Sequence, residues 1–214
     1  MSEVSFKLKG NESFNMREGW LNKGIEAIRE DPTVFTQPTA MDILGVGSKM
    51  VKSIRFWMQA TGLAEETRGA GKRRQNLTED FGEIIAEKDP YFEDVATLWL
   101  IHSKIIARKD LCTAWYLFFN IIEATEFDRD DLPMLLGHEM NKLAGPENYS
   151  EKSLEDDCTN IIRMYVKEDL KAKGIRDPEE NLGSPFSELG LVQKSETSKK
   201  KFRKTQPIPD TLDK

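Results

Sequence analysis

The stretch TAMDILGVGSKMVKSIRFWMQA, residues 39–60, decides the fold of the amino-terminal third of this chain. Thr39 and Asp42 have the spacing of a helix cap, so they predict a short helix that stops at the glycine turn of residues 45–47. Ser48 can cap the next helix, which we expect to continue to the end of the stretch. A short helix, a tight glycine turn and a longer helix are typical of a helix-turn-helix.

The helix predicted after the turn is amphipathic. At about 100 degrees per residue, its apolar side chains share one face, which we expect to pack on the core. Lys49, Lys52 and Ser53 fall on the opposite face, and Arg55 lies at the border. Phe56 also falls on the polar side, where an aromatic ring has no core to fill, and this indicates contact with a partner. The alternative is an ordinary surface helix with solvated lysines.

The flanking segments extend this pattern to a winged helix-turn-helix. Asn15 and Glu18 have the spacing of a capping box, which predicts a first helix over residues 16–29. Residues 67–75 contain two glycines and four basic residues, as a hairpin that reaches the phosphate backbone would. The predicted DNA-binding residues are Lys49, Lys52, Ser53, Arg55, Phe56, Lys72, Arg73 and Arg74.

The distribution of charge supports this assignment, although the formal net charge of the chain is -6. Residues 48–74 contain seven basic and two acidic residues, a local balance of +5. Residues 125–181 contain eight basic and fifteen acidic residues, a local balance of -7. Only the front part and the tail are therefore suited to phosphate.

The fold class that we predict is mostly α, with the winged helix-turn-helix in residues 1–90 packed on a helical domain in residues 91–192. Within that domain a short helix, the turn Gly145-Pro146 and a longer helix capped by Ser153 repeat the order of the front. They can form a second, degenerate winged helix, whose acidity favours a protein partner over equal DNA contact. The composition of residues 193–214 predicts a basic flexible tail. Such a tail either adds salt-dependent affinity for DNA or has no role.

Other classes of protein are disfavoured by the composition. Cys112 and Cys158 lie in apolar runs, so the sequence contains neither a disulfide framework nor paired zinc-ligand spacing. No positively charged start leads into an apolar stretch and no apolar run reaches 18 residues, so we expect neither secretion nor a membrane-spanning helix. We therefore expect a cytoplasmic protein without a membrane partner. His102 has no second ligand at helical spacing, so we expect it to be structural.

A nuclease site would require carboxylates that hold a divalent metal. Glu93 and Asp94, beside Tyr91, are the best pair of catalytic candidates, and they would bind Mg or Mn if the protein nicks DNA. The alternative is that both acids lie at a helix amino terminus, which favours negative charge.

Several long segments, in the same order, resemble the bacterial domain-of-unknown-function family four thousand and seven. The segments are FNMREGWL (14–21), LGVG (44–47), MVKSIRFW (50–57), DPYFED (89–94), TAWYLFFN (113–120) and SPFSELGL (184–191). The resemblance spans most of the chain and is more specific than any single motif in it.

The resemblance implies that the gene lies near DNA phosphorothioation and anti-phage defence genes, including one for a sulfurtransferase-like protein. One branch of the family is regarded as the DNA-nicking component of single-strand phosphorothioation, but no set of catalytic residues is carried over to this chain. Members tend to continue past the segment ELGL, residues 188–191, so we expect that a carboxy-terminal portion is missing. Two hypotheses follow: a DNA-binding defence component, with DNA nicking as a candidate activity, and a non-enzymatic winged-helix regulator or adaptor.

Overall fold

The computed structural model describes residues 5–69, 71–146, 148–167, 183–195 and 200–205. Within these ranges the chain is mostly helical, as predicted, with two small antiparallel sheets. The α-helices are α1 (Trp20–Glu30), α2 (Ala40–Leu44), α3 (Ser48–Ala60), α4 (Gly82–Lys88), α5 (Val95–Ala107), α6 (Thr113–Tyr116), α7 (Leu132–Ala144) and α8 (Glu151–Tyr165). The strands are β1 (Ala64–Gly69), β2 (Lys72–Leu77), β3 (Glu126–Asp128), β4 (Val192–Lys194) and β5 (Lys201–Lys204).

Helices α1, α2 and α3 pack together through the apolar faces that their sequences predict. Gly24 of α1 allows the closest approach, since a Cβ at this position would lie 2.5 Å from the sulfur of Met58 in α3. The turn between α2 and α3 also forms where it was predicted. Gly45 ends α2 with a φ of 64°, a conformation that costs glycine no steric strain, and Gly47 takes the capping position that we had given to Ser48.

The predicted start of α1 is wrong. The helix begins at Trp20, directly after Gly19, whose φ is 76°. The predicted capping box does not form, because the side-chain amide of Asn15 donates to the Met16 carbonyl and the backbone N–H of Glu18 donates to the Gly183 carbonyl. The segment ahead of Gly19 is therefore used for packing and not as a first helical turn.

Strands β1 and β2 form an antiparallel hairpin directly after α3. Their register pairs Glu66 with Gln75 and Arg68 with Arg73. On its other side β2 has one further contact, since the Gln75 N–H donates to the Pro32 carbonyl at 2.8 Å. Proline has no N–H to return this bond, so the Pro32 segment contributes a single strand-like contact. Strands β1 and β2 thus remain a two-stranded sheet, with the Pro32 turn beside the outer edge of β2.

The middle of the chain is a core of aromatic residues. α6 continues directly into a π-helix, Leu117–Ile121, and Trp115 makes an edge contact with Trp57 of α3 at 5.5 Å between ring centroids. His102 of α5 is buried, and its Nδ1 lies 2.8 Å from the hydroxyl of Tyr165. Burial lowers the pKa of His102 to about 4, so this histidine is neutral at physiological pH. The prediction that His102 is structural is confirmed.

Strand β3 precedes α7, and strands β4 and β5 follow α8. The three strands form one antiparallel sheet in the order β3-β5-β4. The central strand, β5, buries Phe202, which stacks on Phe127 of β3 at 5.8 Å. α8 begins after Ser150, whose side chain accepts the N–H of Ser153, so the cap predicted at Ser153 lies three residues earlier.

The prediction that residues 193–214 form a flexible tail is wrong for residues 193–195 and 200–205, which belong to β4, β5 and their ends. The composition of this segment explains the error, because Phe202 is the one apolar residue in residues 199–204 and the other five are Lys or Arg. One buried ring and the side chain of Lys204, which donates to the carbonyls of Phe118 and Ile122, are sufficient to hold the strand. Residues 196–199 and 206–214 of the predicted tail lie outside the described ranges.

Residues 5–19, which we call the amino-terminal segment, connect α3 to α8. The backbone N–H of Lys9 donates to Asp157 of α8 at 2.9 Å, and the carbonyl of Phe14 accepts the indole N–H of Trp57 at 3.2 Å. The buried apolar residues consequently form one continuous core from α1 to β5. None of the helices in the described ranges is both long enough and apolar enough to cross a bilayer.

Candidate nucleic-acid interface

Only a narrow strip of α3 is exposed to solvent. Lys49 and Lys52, one turn apart near the amino end of the helix, are exposed as predicted. No ion pair holds either lysine among the described residues, so both cations are available to an external anion. The amino-terminal part of a recognition helix is the part that contacts base edges in helix-turn-helix proteins.

The prediction that Ser53 and Phe56 lie on a solvent-facing side of α3 is wrong. Both residues are buried, Ser53 completely. The amino-terminal segment covers Phe56, because a Cβ at Gly10 would lie 2.4 Å from its ring and the ammonium of Lys7 lies 5.4 Å from the centre of that ring. The ring of Phe56 thus packs within the chain and is not the exposed contact that its position on the helix predicts.

Ser53 gives a direct test of this correction. Its hydroxyl is buried and has no hydrogen-bond partner among the described residues. Because a buried unpaired hydroxyl is destabilising, we expect Ser53→Ala to raise the free energy of unfolding by about 1 kcal/mol. The same variant should leave DNA affinity unchanged. Urea denaturation measures the free energy of unfolding, and a DNA titration measures the affinity. Weakened DNA binding by a stably folded Ser53→Ala variant would show that Ser53 belongs to the interface.

Arg55 fastens the hairpin to α3 and is half-buried. Its guanidinium forms a hydrogen-bonded ion pair with Glu66 of β1. The backbone carbonyl of Arg55 accepts the side-chain amide of Gln75 from β2 at 3.0 Å. Glu66 and Gln75 position Arg55, and neither residue was identified from the sequence. Glu66 lies eleven positions after Arg55, and no local pattern shows that the two side chains are in contact. The structure thus gives Arg55 an internal contact in addition to its predicted role.

The hairpin carries four exposed cations. Lys72, Arg73 and Arg74 are predicted DNA-binding residues, and Arg68 is the fourth basic residue of the predicted hairpin. Because side chains alternate along a strand, Arg68 and Arg73 share the face of Glu66, whereas Arg74 points to the other face. On that face lies Asp31, whose pKa is lowered mainly by hydrogen bonds from Thr33. The charge of Arg74 makes a smaller contribution in the same direction.

The predicted catalytic pair, Glu93 and Asp94, lies at the amino end of α5. Asp94 is the amino-terminal cap of α5, where its side chain accepts the Ala96 N–H at 2.8 Å. The N–H groups of Glu93 and Asp94 both donate to the carboxylate of Asp89, and Glu93 itself is exposed. No group of three metal-ligating acid, histidine or cysteine side chains lies together within the described part of the chain. The helix-capping explanation for Asp94 is confirmed.

The second half presents charge of the opposite sign. Along α8 the exposed side chains include Glu151 and Glu155, with Lys152 between them at 3.5 Å from Glu155. The helix that follows the α7–α8 turn therefore has no equivalent of the exposed lysine strip on α3.

The fold and this surface define a mostly helical protein that presents a basic helix terminus beside a basic hairpin. The chain belongs to the family described as protein of unknown function, DUF4007, whose family model matches residues 8–214.

Two solved structures are similar to this chain. The magnesium ion-bound SspB crystal structure is 28% identical, with a TM-score of 0.80, and the match covers 94% of this chain and 60% of that one. The SspB crystal structure is 26% identical, with a TM-score of 0.81, and the match covers 96% of this chain and 62% of that one. The chain thus spans less than two thirds of either SspB chain. A search among curated proteins gave no match.

Proposed function

We propose that this chain is the DNA-binding component of a bacterial DNA phosphorothioation or phage-defence system, and that residues 20–77 bind DNA as a winged helix. Three helices followed by a hairpin, with a strand-like contact at Pro32 beside β2, support the winged-helix assignment. In this arrangement α3 is the recognition helix and the hairpin β1–β2 is the wing.

One observation carries the proposal: exposed cations lie on two adjoining elements whose relative position is fixed. Lys49 and Lys52 project from α3, and Lys72 and Arg73 project from the hairpin. The Arg55–Glu66 ion pair holds the two elements together. Such a surface gains affinity for a polyanion by releasing condensed counterions from the phosphates. A rigid arrangement also avoids an ordering cost on binding.

The double variant Lys49→Ala/Lys52→Ala tests the α3 contact. We expect the slope of log affinity against log salt to fall by about 1.8 in magnitude, since each lost phosphate contact removes roughly 0.9. Fluorescence anisotropy with a labelled duplex at several salt concentrations measures this slope.

The matched control is Lys142→Ala/Lys152→Ala, which removes the same charge from exposed positions on α7 and α8. This control should leave the slope nearly unchanged. If the two double variants change the slope equally, the α3 contact is refuted and the binding reflects net charge alone.

The similarity to SspB and the family resemblance support the defence context. The family implies a sulfurtransferase-like neighbour, and we propose that this chain works with such a protein in the cytoplasm. We also propose that the region from β3 to β5 is a second, degenerate winged helix that binds a protein, and its strand order β3-β5-β4 supports the fold part of this proposal. Its exposed acids disfavour a phosphate backbone as the ligand.

DNA nicking is a second candidate function, which the magnesium ion in one of the SspB structures favours. Incubation of supercoiled plasmid with the protein and Mg²⁺ or Mn²⁺ separates the candidates. An open-circle product supports nicking, and its persistence in Glu93→Ala would exclude that residue from catalysis. Binding without any product supports the non-enzymatic regulator or adaptor.

A further inference from the structure

Two arginines face each other at the free end of the hairpin. Arg68 of β1 and Arg73 of β2 are direct cross-strand partners, and both are exposed. Like charges directly opposite in an antiparallel pair destabilise the sheet. The fold alone therefore gives no reason to place two guanidinium groups at this position.

The protein neutralises this pair only in part. Glu66 is the acid on the same face of the hairpin, and its carboxylate is already held by Arg55. The Nε of Arg73 lies 3.9 Å from Glu66, while Arg68 has no ion-pair partner among the described residues. The hairpin end thus keeps an excess of positive charge that an external anion can compensate.

The choice of arginine at this end, and of lysine on α3, distinguishes two kinds of DNA contact. Lysine is a strongly hydrated point charge that suits phosphates, whereas arginine is planar and more weakly hydrated, so it loses less on entering a confined site. A narrow minor groove is such a site, because its negative potential is enhanced and attracts inserted arginines. Gly69 and Gly71 leave open space beside the two arginines, since an added Cβ at either glycine would meet no atom within 4 Å.

We propose that Arg68 and Arg73 enter a narrowed DNA minor groove, so that the preferred substrate is duplex DNA containing an A-tract. This inference rests on the proposed DNA binding and adds the class of sequence that is bound. The helix lysines then supply affinity that does not depend on sequence, and the hairpin arginines supply the preference.

The charge-conserving variant Arg68→Lys/Arg73→Lys tests the inference. Affinity is measured for two duplexes of equal length, one with a central A-tract and one with G·C pairs at the same positions. The unmodified protein should prefer the A-tract by roughly tenfold, which corresponds to about 1.4 kcal/mol. The variant should lose this preference and bind the G·C duplex as tightly as the unmodified protein does. Netropsin, which occupies the minor groove, should displace the unmodified protein from the A-tract.

The matched control is Lys49→Arg/Lys52→Arg, the reverse exchange on α3, which should keep the A-tract preference. Equal affinity of the unmodified protein for both duplexes, or a preference that survives in Arg68→Lys/Arg73→Lys, would overturn the minor-groove inference and leave the proposed function standing. Failure of the unmodified protein to bind either duplex would instead refute the proposed function.

Discussion

Replacement of Gly82 by alanine is expected to lower the free energy of unfolding by about 3 kcal/mol or more, because the site has no room for a side chain. Gly82 begins α4, and a Cβ there would lie 2.0 Å from the backbone oxygen of Leu63 and 3.1 Å from Oγ1 of Thr78. The first of these atoms belongs to the backbone, so no change of rotamer can relieve the overlap.

The neighbours of Gly82 cannot move independently. The hydroxyl of Thr78 accepts the Gly82 N–H at 2.8 Å and donates to the Gly62 carbonyl at 2.7 Å. The N–H of Thr78 donates to the Leu63 carbonyl at 3.0 Å. These bonds join the end of α3, the two ends of the hairpin and the start of α4, so a shift at Gly82 also displaces the hairpin from α3.

Urea denaturation of Gly82→Ala measures the loss, and Gly69→Ala is the matched control. A Cβ at Gly69 would meet no atom within 4 Å. That variant should therefore remain within about 0.5 kcal/mol of the unmodified protein. A Gly82→Ala midpoint equal to that of Gly69→Ala would contradict the close packing of α4 on the residues that follow α3.

The elements that the sequence predicted well are those fixed by local chemistry. α2, the glycine turn and α3 depend on periodicity and on the positive φ of Gly45, all within the opening stretch. The hairpin depends on a short basic segment with two glycines. Lys49 and Lys52 were correctly placed on the outer side of α3, because the apolar face of that helix orients it without reference to distant residues.

The predictions that failed depend on contacts between residues far apart in the chain. A helical wheel places Phe56 on the exposed side of α3, but the residue is buried in the fold. Gly10 of the amino-terminal segment packs against its ring. Phe202 belongs to a central strand because Phe127 lies beside it. Neither periodicity nor composition encodes such partners.

The amino-terminal segment is held by a group that no sequence pattern marks as unusual. Asp157 of α8 is 2% exposed, and one of its oxygens has no hydrogen-bond partner among the described residues. The other oxygen accepts the Lys9 N–H. Burial raises the pKa of Asp157 from its ordinary value of 3.8 to about 7. The neighbouring Asp156 has the opposite pKa shift. Burial raises the pKa of Asp156, but hydrogen bonds from Lys9 and Ser13 have the larger combined effect and lower it.

Asp157→Asn is expected to stabilise the protein at pH 8 by on the order of 3 kcal/mol and to change it little at pH 4. Because the folded state binds the proton of Asp157 more tightly than the unfolded state does, the associated stability is complete below pH 3.8 and is lost as the pH rises to about 7. Asparagine keeps an oxygen for the Lys9 N–H and carries no charge to bury.

Asp156→Asn is the matched control and should behave oppositely, with its loss of stability greatest at neutral pH, where the ionised carboxylate pairs with Lys9 at 2.7 Å. Urea midpoints of the three proteins between these pH values measure both effects. Parallel pH profiles for the unmodified protein and Asp157→Asn would show that this carboxyl is solvated, and that the amino-terminal segment is not sealed against α8.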